Sequence, residues 1–202
     1  MSKKSNTKSK IVSAAWKLFY EQGYDSTTVD EIIKESGTSR GSFYHYFDGK
    51  DALVGSLAYL FDEKYETLIP EIDIEGDSIE LLLYLNAQLF EMIENTVDLE
   101  LMKRLYATQL LTKSEKQLLD HDRVYYRLLR KIILAGQKNG YITTQESVNE
   151  IVKYYAFCER AILYDWCLVG GEYSLKDSSN KQMRFFLKRI QPLNLFFVFF
   201  FV

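Results

Sequence analysis

Apolar residues recur along most of this chain at helical spacing. Ile11, Ala14, Ala15, Leu18 and Phe19 fall at i, i+3, i+4, i+7 and i+8, one face of a helix, and Gly23 stands where a C-terminal glycine would end it. Thr28-Val29-Asp30-Glu31 matches a capping box and opens a second helix, with Val29, Ile32 and Ile33 apolar and Gly37 at its close. Ser39 is placed to cap a third. In it Phe43 and Phe47 share a core-facing side, and Tyr46 reads as a contact between helices. Asp48 is expected to cap a fourth helix that carries Leu53, Leu57, Leu60, Phe61, Tyr65 and Leu68 on towards Pro70. After a polar connection over 71–78, helices are predicted over 78–94, 99–111, 115–139, 146–169 and 175–190, with Gly140 and Gly170-Gly171 as stops. The fold class this implies is all-α.

The second helix spans only about eight residues, too few to persist alone in water. It must pack on its neighbours. A short helix, a turn at Gly37-Thr38 and another short helix make a helix-turn-helix over about 28–47. The second helix of such a motif breaks two local rules at once. Arg40 sits at the positive end of the helix dipole, which costs roughly 0.3–1 kcal/mol. Gly41 costs about 1 kcal/mol against alanine. Both make sense against DNA: arginine binds guanine edges or phosphate, and a bare glycine lets the helix backbone come close.

Charge sharpens this picture. The chain of 202 residues carries a net charge of −3, which by itself does not suggest a nucleic-acid binder. Yet residues 1–50 hold eight Lys and Arg against six Asp and Glu, and the first ten residues alone carry +4. A basic start on an acidic remainder implies different partners for the two ends. Cys158 and Cys167 have no CxxC spacing, so neither a zinc site nor a disulfide framework is indicated and a reduced cytosolic setting is expected. No apolar run follows the N-terminal lysines, so no signal peptide is expected.

The stretch GYDSTTVDEIIKESGTSRGSFYHYFDGKDAL, residues 23–53, resembles the DNA-binding domain of the tetracycline-repressor (TetR) family. The shared features are a Gly-aromatic pair, the Thr-small-hydrophobic start of the second helix, a Gly between helices, and Ser-Arg-Gly followed by the aromatic run, Lys50 and Leu53. The resemblance covers about residues 7–56, and beyond it only the helical layout is similar. It implies an N-terminal three-helix helix-turn-helix domain over 4–64, followed by a larger helical ligand-binding and dimerisation domain over 65–202. It implies a cytoplasmic, homodimeric transcriptional regulator, most often a repressor, that binds a palindromic operator in double-stranded DNA and is released by a small-molecule effector. Residue by residue, it implies that Thr28, Thr38, Ser39, Arg40, Gly41, Ser42, Tyr44, His45 and Lys50 face the DNA. Thr28 and Lys50 would hold phosphates from two helix starts, Ser42 and Thr38 would bond base or backbone, and Tyr44 would offer its hydroxyl to phosphate or its ring to a thymine methyl.

Val148, Ile151, Val152, Tyr155, Ile162, Leu163 and Trp166 form a wide apolar stripe. In a monomer it would be core. The resemblance instead assigns it, with Tyr155, Ile162 and Trp166, to a four-helix interface between two subunits. Many aromatic residues fall in this body (Tyr84, Phe90, Tyr106, Tyr154, Phe157, Tyr164) and suit a ligand pocket, although no lining can be read from sequence. An enzyme is disfavoured: there is no GxGxxG, P-loop or GxSxG, and His121 between Asp120 and Asp122 cannot form a compact metal site because adjacent helix residues point apart. No cofactor or metal is indicated. Residues 195–202, LFFVFFFV, are too short to span a membrane and resemble an aggregation-prone strand. They could pack on the body or on a partner chain, or be an altered end, which the abrupt loss of pattern after Ile190 favours. A regulator that answers to a membrane or protein partner is the alternative this tail raises.

Overall fold

The structure, a computed structural model, describes residues 3–111 and 116–192; the apolar tail lies outside the described residues. Among them every regular element is helical: α1 (Lys3–Gln22), α2 (Val29–Ser36), α3 (Arg40–Tyr46), α4 (Lys50–Val54), α5 (Leu57–Leu68), α6 (Ser78–Thr96), α7 (Leu99–Leu111), α8 (Val124–Asn139), α9 (Val148–Leu168) and α10 (Leu175–Ile190). The chain folds as two compact units that interleave in sequence. One takes the residues up to Phe61 together with Asn95–Asp120, and the other takes Asp62–Glu94 with the residues from His121 on.

In the first unit the apolar faces lie where the spacing puts them. Ile11, Ala15 and Phe19 of α1, Ile32 of α2 and Phe43 of α3 are all buried. Gly23 ends α1 in the left-handed conformation, φ 85°. Thr28 and Glu31 form both halves of the capping box, and Gly37 closes α2 at φ 61°. The fourth helix departs from expectation. It is not one run capped by Asp48. Gly49 occupies the cap with no side-chain bond, and the Asp51 carboxylate accepts from the Tyr24 hydroxyl. The helix then breaks at Gly55-Ser56. Ser56 donates its hydroxyl to the Leu53 carbonyl and accepts the Trp16 indole N–H at 2.9 Å, so the backbone tightens into i→i+3 bonds. A Cβ on Gly55 would stand 2.9 Å from Oε1 of Gln117, so a larger residue there would displace the end of that side chain.

In the second unit, α6, α8, α9 and α10 bury Leu82, Phe90, Ile132, Ile151, Leu163 and Leu187. The helix expected from 115 begins only at Val124, after a 3₁₀ turn at Gln117–Leu119. Its start is set from α5. The Asp62 carboxylate takes two bonds from Arg123 (3.1 and 3.0 Å) and one from the backbone N–H of Tyr125 (3.1 Å), acting as a cap from another helix. Gly136 lets α8 pack tightly, because a Cβ there would lie 2.7 Å from Ser78 Oγ and from Ile142.

A second polar group is buried nearby in sequence terms only through folding. Glu159 of α9 accepts from Asn86 of α6 at 2.8 Å and from the Tyr125 hydroxyl of α8 at 2.6 Å. Burial pushes its carboxyl above the ordinary 4.5, against the opposing bonds from Tyr125, Asn86 and Tyr155 and the charge of Arg160. A carboxyl raised in this way binds more protons folded than unfolded, so its contribution to stability is greatest at low pH and is lost as pH rises from the unfolded value. Glu159→Gln should therefore gain stability relative to the parent chain as pH is raised above about 4.5. Urea melts at a series of pH values check this, and a Glu159→Gln variant that loses stability relative to the parent chain as pH rises would refute burial as the dominant cause.

Candidate nucleic-acid interface

The surface in question is built on three short helices. Phe43 and Phe47 anchor α3 inward, and Ser39 caps it by accepting the Ser42 N–H at 3.1 Å. That leaves one side of α3 outward. Arg40 is exposed and its guanidinium stands 5.9 Å from the Tyr44 ring one turn on, so the two share a face. Its Nη1 rests 3.3 Å from Asp30 of α2. Such an exposed pair is worth at most about 1 kcal/mol and yields readily to a stronger anion. Tyr44 and His45 are exposed, and the His45 ring lies edge-on to Tyr46 at 4.8 Å.

Gly41 is the informative position. A Cβ there would meet nothing closer than Ser39 Oγ at 4.0 Å, and the backbone is ordinary helix. Nothing inside the chain requires glycine.

The small hydroxyls are already engaged. Thr28 Oγ1 bonds Glu31 within the capping box (2.8 Å), Thr38 Oγ1 pairs with Ser36 Oγ (2.8 Å), and Ser39 Oγ pairs with Ser42 Oγ (2.9 Å). Serine and threonine keep spare acceptor or donor capacity in such pairs, so these bonds orient the hydroxyls without blocking them.

Lys50 stands apart from the other expected contacts. Its ammonium donates to the carbonyls of Tyr24 (2.7 Å) and Thr27 (2.8 Å), approaches that of Asp25 (3.5 Å), and lies 4.2 Å from the Tyr24 ring centre. The ring is also met by Arg104 of α7, whose guanidinium is 4.5 Å from the centroid and bonds Asp25 at 2.7 Å. Burial, then the bond to Asp51, pushes the Tyr24 phenol well above its ordinary value. Two cations on one ring thus pin residues 24–27, the turn that delivers Thr28 to the start of α2. Sequence reading passed over this group. The Gly23-Tyr24 pair was visible, but nothing local points from Tyr24 to Arg104.

Residues 11–57 match the family described as bacterial regulatory proteins, tetR family. Among curated relatives, the HTH-type transcriptional regulator YuxN of Bacillus subtilis (strain 168), itself described as uncharacterized, is 46% identical over 68 residues, which is 34% of this chain and 23% of that one. The family match is confined to this N-terminal stretch, residues 11–57. The alignment spans about a quarter of YuxN, so the sequence likeness is that of the N-terminal domain. The helical layout is shared further. A transcriptional regulator FadR from Bacillus subtilis, solved with stearoyl-CoA, superposes with TM-score 0.62 at 22% identity over 91% of this chain and 100% of that one. FadR of Thermus thermophilus, a TetR-family repressor solved with lauroyl-CoA, superposes with TM-score 0.68 at 21% identity over 89% and 92%. At these identities the likeness is one of TetR-type fold.

The last two helices correct one expectation. Tyr155, Ile162 and Trp166 are buried inside a single chain: the Tyr155 hydroxyl donates to the Leu82 carbonyl (2.8 Å) and the Trp166 indole to the Tyr173 carbonyl (3.0 Å). Within one chain Tyr155 and Trp166 belong to the core, and Ile162, buried as well, also lines the groove between α9 and α10. The other side of α9 carries the exposed apolar row, Tyr154, Phe157, Ala161, Tyr164 and Leu168, at spacings of three, four, three and four. That heptad-like row was legible in the sequence but lay beside a wider stripe.

Lys50→Met removes the carbonyl bonds and should destabilise the first unit by about 1–3 kcal/mol. Its effect on DNA separates frame from contact. A frame residue leaves the slope of log affinity against log salt unchanged, whereas loss of a phosphate contact lowers it by about 1. Salt titrations of both proteins with a duplex selected from random sequence decide between them.

Proposed function

We propose that this chain is a TetR-family DNA-binding transcriptional regulator of the cytoplasm, a repressor that leaves a palindromic operator when a small molecule binds its helical body. The observation that carries the DNA reading is Gly41: a helix-weakening residue with open space around it, between an exposed arginine and an exposed tyrosine, on the outward face of α3. Arg40 reads base edges or phosphate from the helix start, and Tyr44 and His45 extend the contact. Thr28, Thr38, Ser39 and Ser42 hold the sugar-phosphate backbone. Lys50 acts one step back, by fixing the turn before Thr28. Residues 4–64 supply this DNA-binding part and residues 65–202 the ligand-binding and dimerisation part. Two fold neighbours solved with acyl-CoA support a ligand in the body.

Two copies are needed to present α3 to half-sites about 34–36 Å apart. The face that supports a homodimer is the exposed row on α9 with Phe185 of α10, which is 83% exposed. Together with Phe186 it lines an apolar groove between the two helices. A contiguous patch of this kind, unlike scattered apolar residues, marks an association surface. Phe185→Glu should shift the protein to a monomer in sedimentation; a dimer of unchanged affinity would place the interface elsewhere.

The DNA reading is tested by two variants against a duplex recovered by in vitro selection. Arg40→Ala should bind about tenfold or more weakly and lose discrimination at one position of each half-site. Gly41→Ala should make the folded domain more stable, by up to about 1 kcal/mol, while weakening DNA binding. A variant that is both more stable and equally tight would remove the reason for glycine and with it the close approach.

A further inference from the structure

Arg40 is the only arginine or lysine in α3, and two groups hold it. Its Nη1 lies 3.3 Å from the Asp30 carboxylate of α2, and its guanidinium carbon lies 5.9 Å from the centre of the Tyr44 ring. The capping box of α2 does not account for Asp30. That box is made by Thr28 and Glu31, the other acid of the first turn. A first-turn acid favours its own helix through the dipole, but that needs no contact across to α3. The Asp30 side chain is 71% exposed and that of Arg40 68%. An anion of α2 is therefore set beside the exposed cation at the start of α3.

Such an anion works against DNA affinity, because every phosphate brought near it is repelled. It does not work equally against every contact. Arginine has two kinds of target on DNA: phosphate oxygens, which are charged, and guanine N7 and O6, which are neutral acceptors. The guanidinium carries five N–H groups in a planar fork. With Nη1 turned to Asp30, the edge formed by Nε and Nη2 still offers two parallel donors, the pattern guanine requires. Arg40 can read guanine on that edge and keep its carboxylate. To take a phosphate it must leave Asp30 or bring a second anion against it, and both are unfavourable.

We propose that Asp30 is a positioning residue for base readout: paired with Arg40, it turns the guanidinium from phosphate towards guanine and so raises the ratio of operator to non-specific binding. The group recognised is a guanine in the major groove, at one position of each half-site. An exposed pair is weak, so the bias is a few-fold, and Tyr44 adds to it by holding the guanidinium from its own helix. The proposal rests on the reading of α3 as the DNA-facing helix and adds to it which of the two targets Arg40 takes.

The test compares four proteins: the parent chain, Asp30→Asn, Arg40→Ala and the double variant. Asparagine keeps the size of the side chain and leaves the Thr28–Glu31 capping box intact. Each protein is titrated over a range of salt on a duplex recovered by in vitro selection with the parent chain, and on a scrambled duplex of the same length. Asp30→Asn should bind the scrambled duplex about threefold or more tightly, with the slope of log affinity against log salt steeper by about 1, because Arg40 then takes a phosphate. Its affinity for the selected duplex should stay within about twofold, so discrimination falls. Added to Arg40→Ala, Asp30→Asn should change binding to the scrambled duplex by less than about twofold. An equal gain on both duplexes, or a gain that persists without Arg40, marks general charge repulsion and overturns the proposal. An unchanged salt slope, or an Asp30→Asn protein that discriminates as well as the parent, overturns it as well. Failure of the DNA reading looks different: a parent chain that binds selected and scrambled duplexes alike has no base readout for Asp30 to direct, and both proposals fall.

Discussion

Helices of eight, seven and five residues do not persist alone in water, so the outward face of α3 exists only while something else holds α2, α3 and α4 in place. Buried Ile32, Phe43 and Leu53 supply the apolar part of that hold. The polar part converges on the turn at 24–27. Lys50 reaches it from α4 and Arg104 from α7, and the Tyr24 ring lies between two cations. Each bond is modest by itself, but together Lys50 satisfies backbone carbonyls of the turn and Arg104 holds the Asp25 carboxylate. The turn then delivers Thr28 as the cap of α2, and α2 delivers Gly37 as the pivot to α3. The outward face of α3 is in this way set by groups on other helices.

In the second unit the organising contacts are polar and buried. Asp62 substitutes for a side-chain cap at the start of α8, and its charge is met by Arg123. Glu159 ties α6, α8 and α9 through Asn86 and Tyr125 without a matching cation. Of these two buried carboxylates one is compensated and one is not. The compensated one sets the start of a helix, and the uncompensated one is held by neutral donors alone.

Helix α9 shows why an apolar pattern underdetermines its own use. It bears two rows. Ile151, Val152, Tyr155, Ile162, Leu163 and Trp166 are buried in the chain, and Tyr154, Phe157, Tyr164 and Leu168 are exposed. The broader row is core because the helical body must bury its own interior before it can offer a face to a second copy. Hydroxyl and indole groups in that row confirm the assignment, since Tyr155 and Trp166 both donate to carbonyls of the same chain.

The helix-turn-helix was legible almost to the residue. Thr28, Gly37 and Ser39 act as caps where their spacing put them, because capping is a contact between a residue and the backbone three or four positions away. The inward side of α3 followed from Phe43 and Phe47 for the same reason. The break at Gly55-Ser56, the late start of α8 and the inward turn of Lys50 were not legible. Each depends on a partner distant in sequence: Trp16 is 40 positions from Ser56, Asp62 is 61 from Arg123, and Tyr24 is 26 from Lys50. The sequence by itself determined which segments are helical, where most of them stop, and that Arg40 and Gly41 break local rules on one short helix. Only the tertiary structure decided which apolar row is core, which cation is engaged by backbone carbonyls, and which buried carboxylate stands without a counter-charge, because burial and charge compensation are properties of what surrounds a group and not of what precedes it.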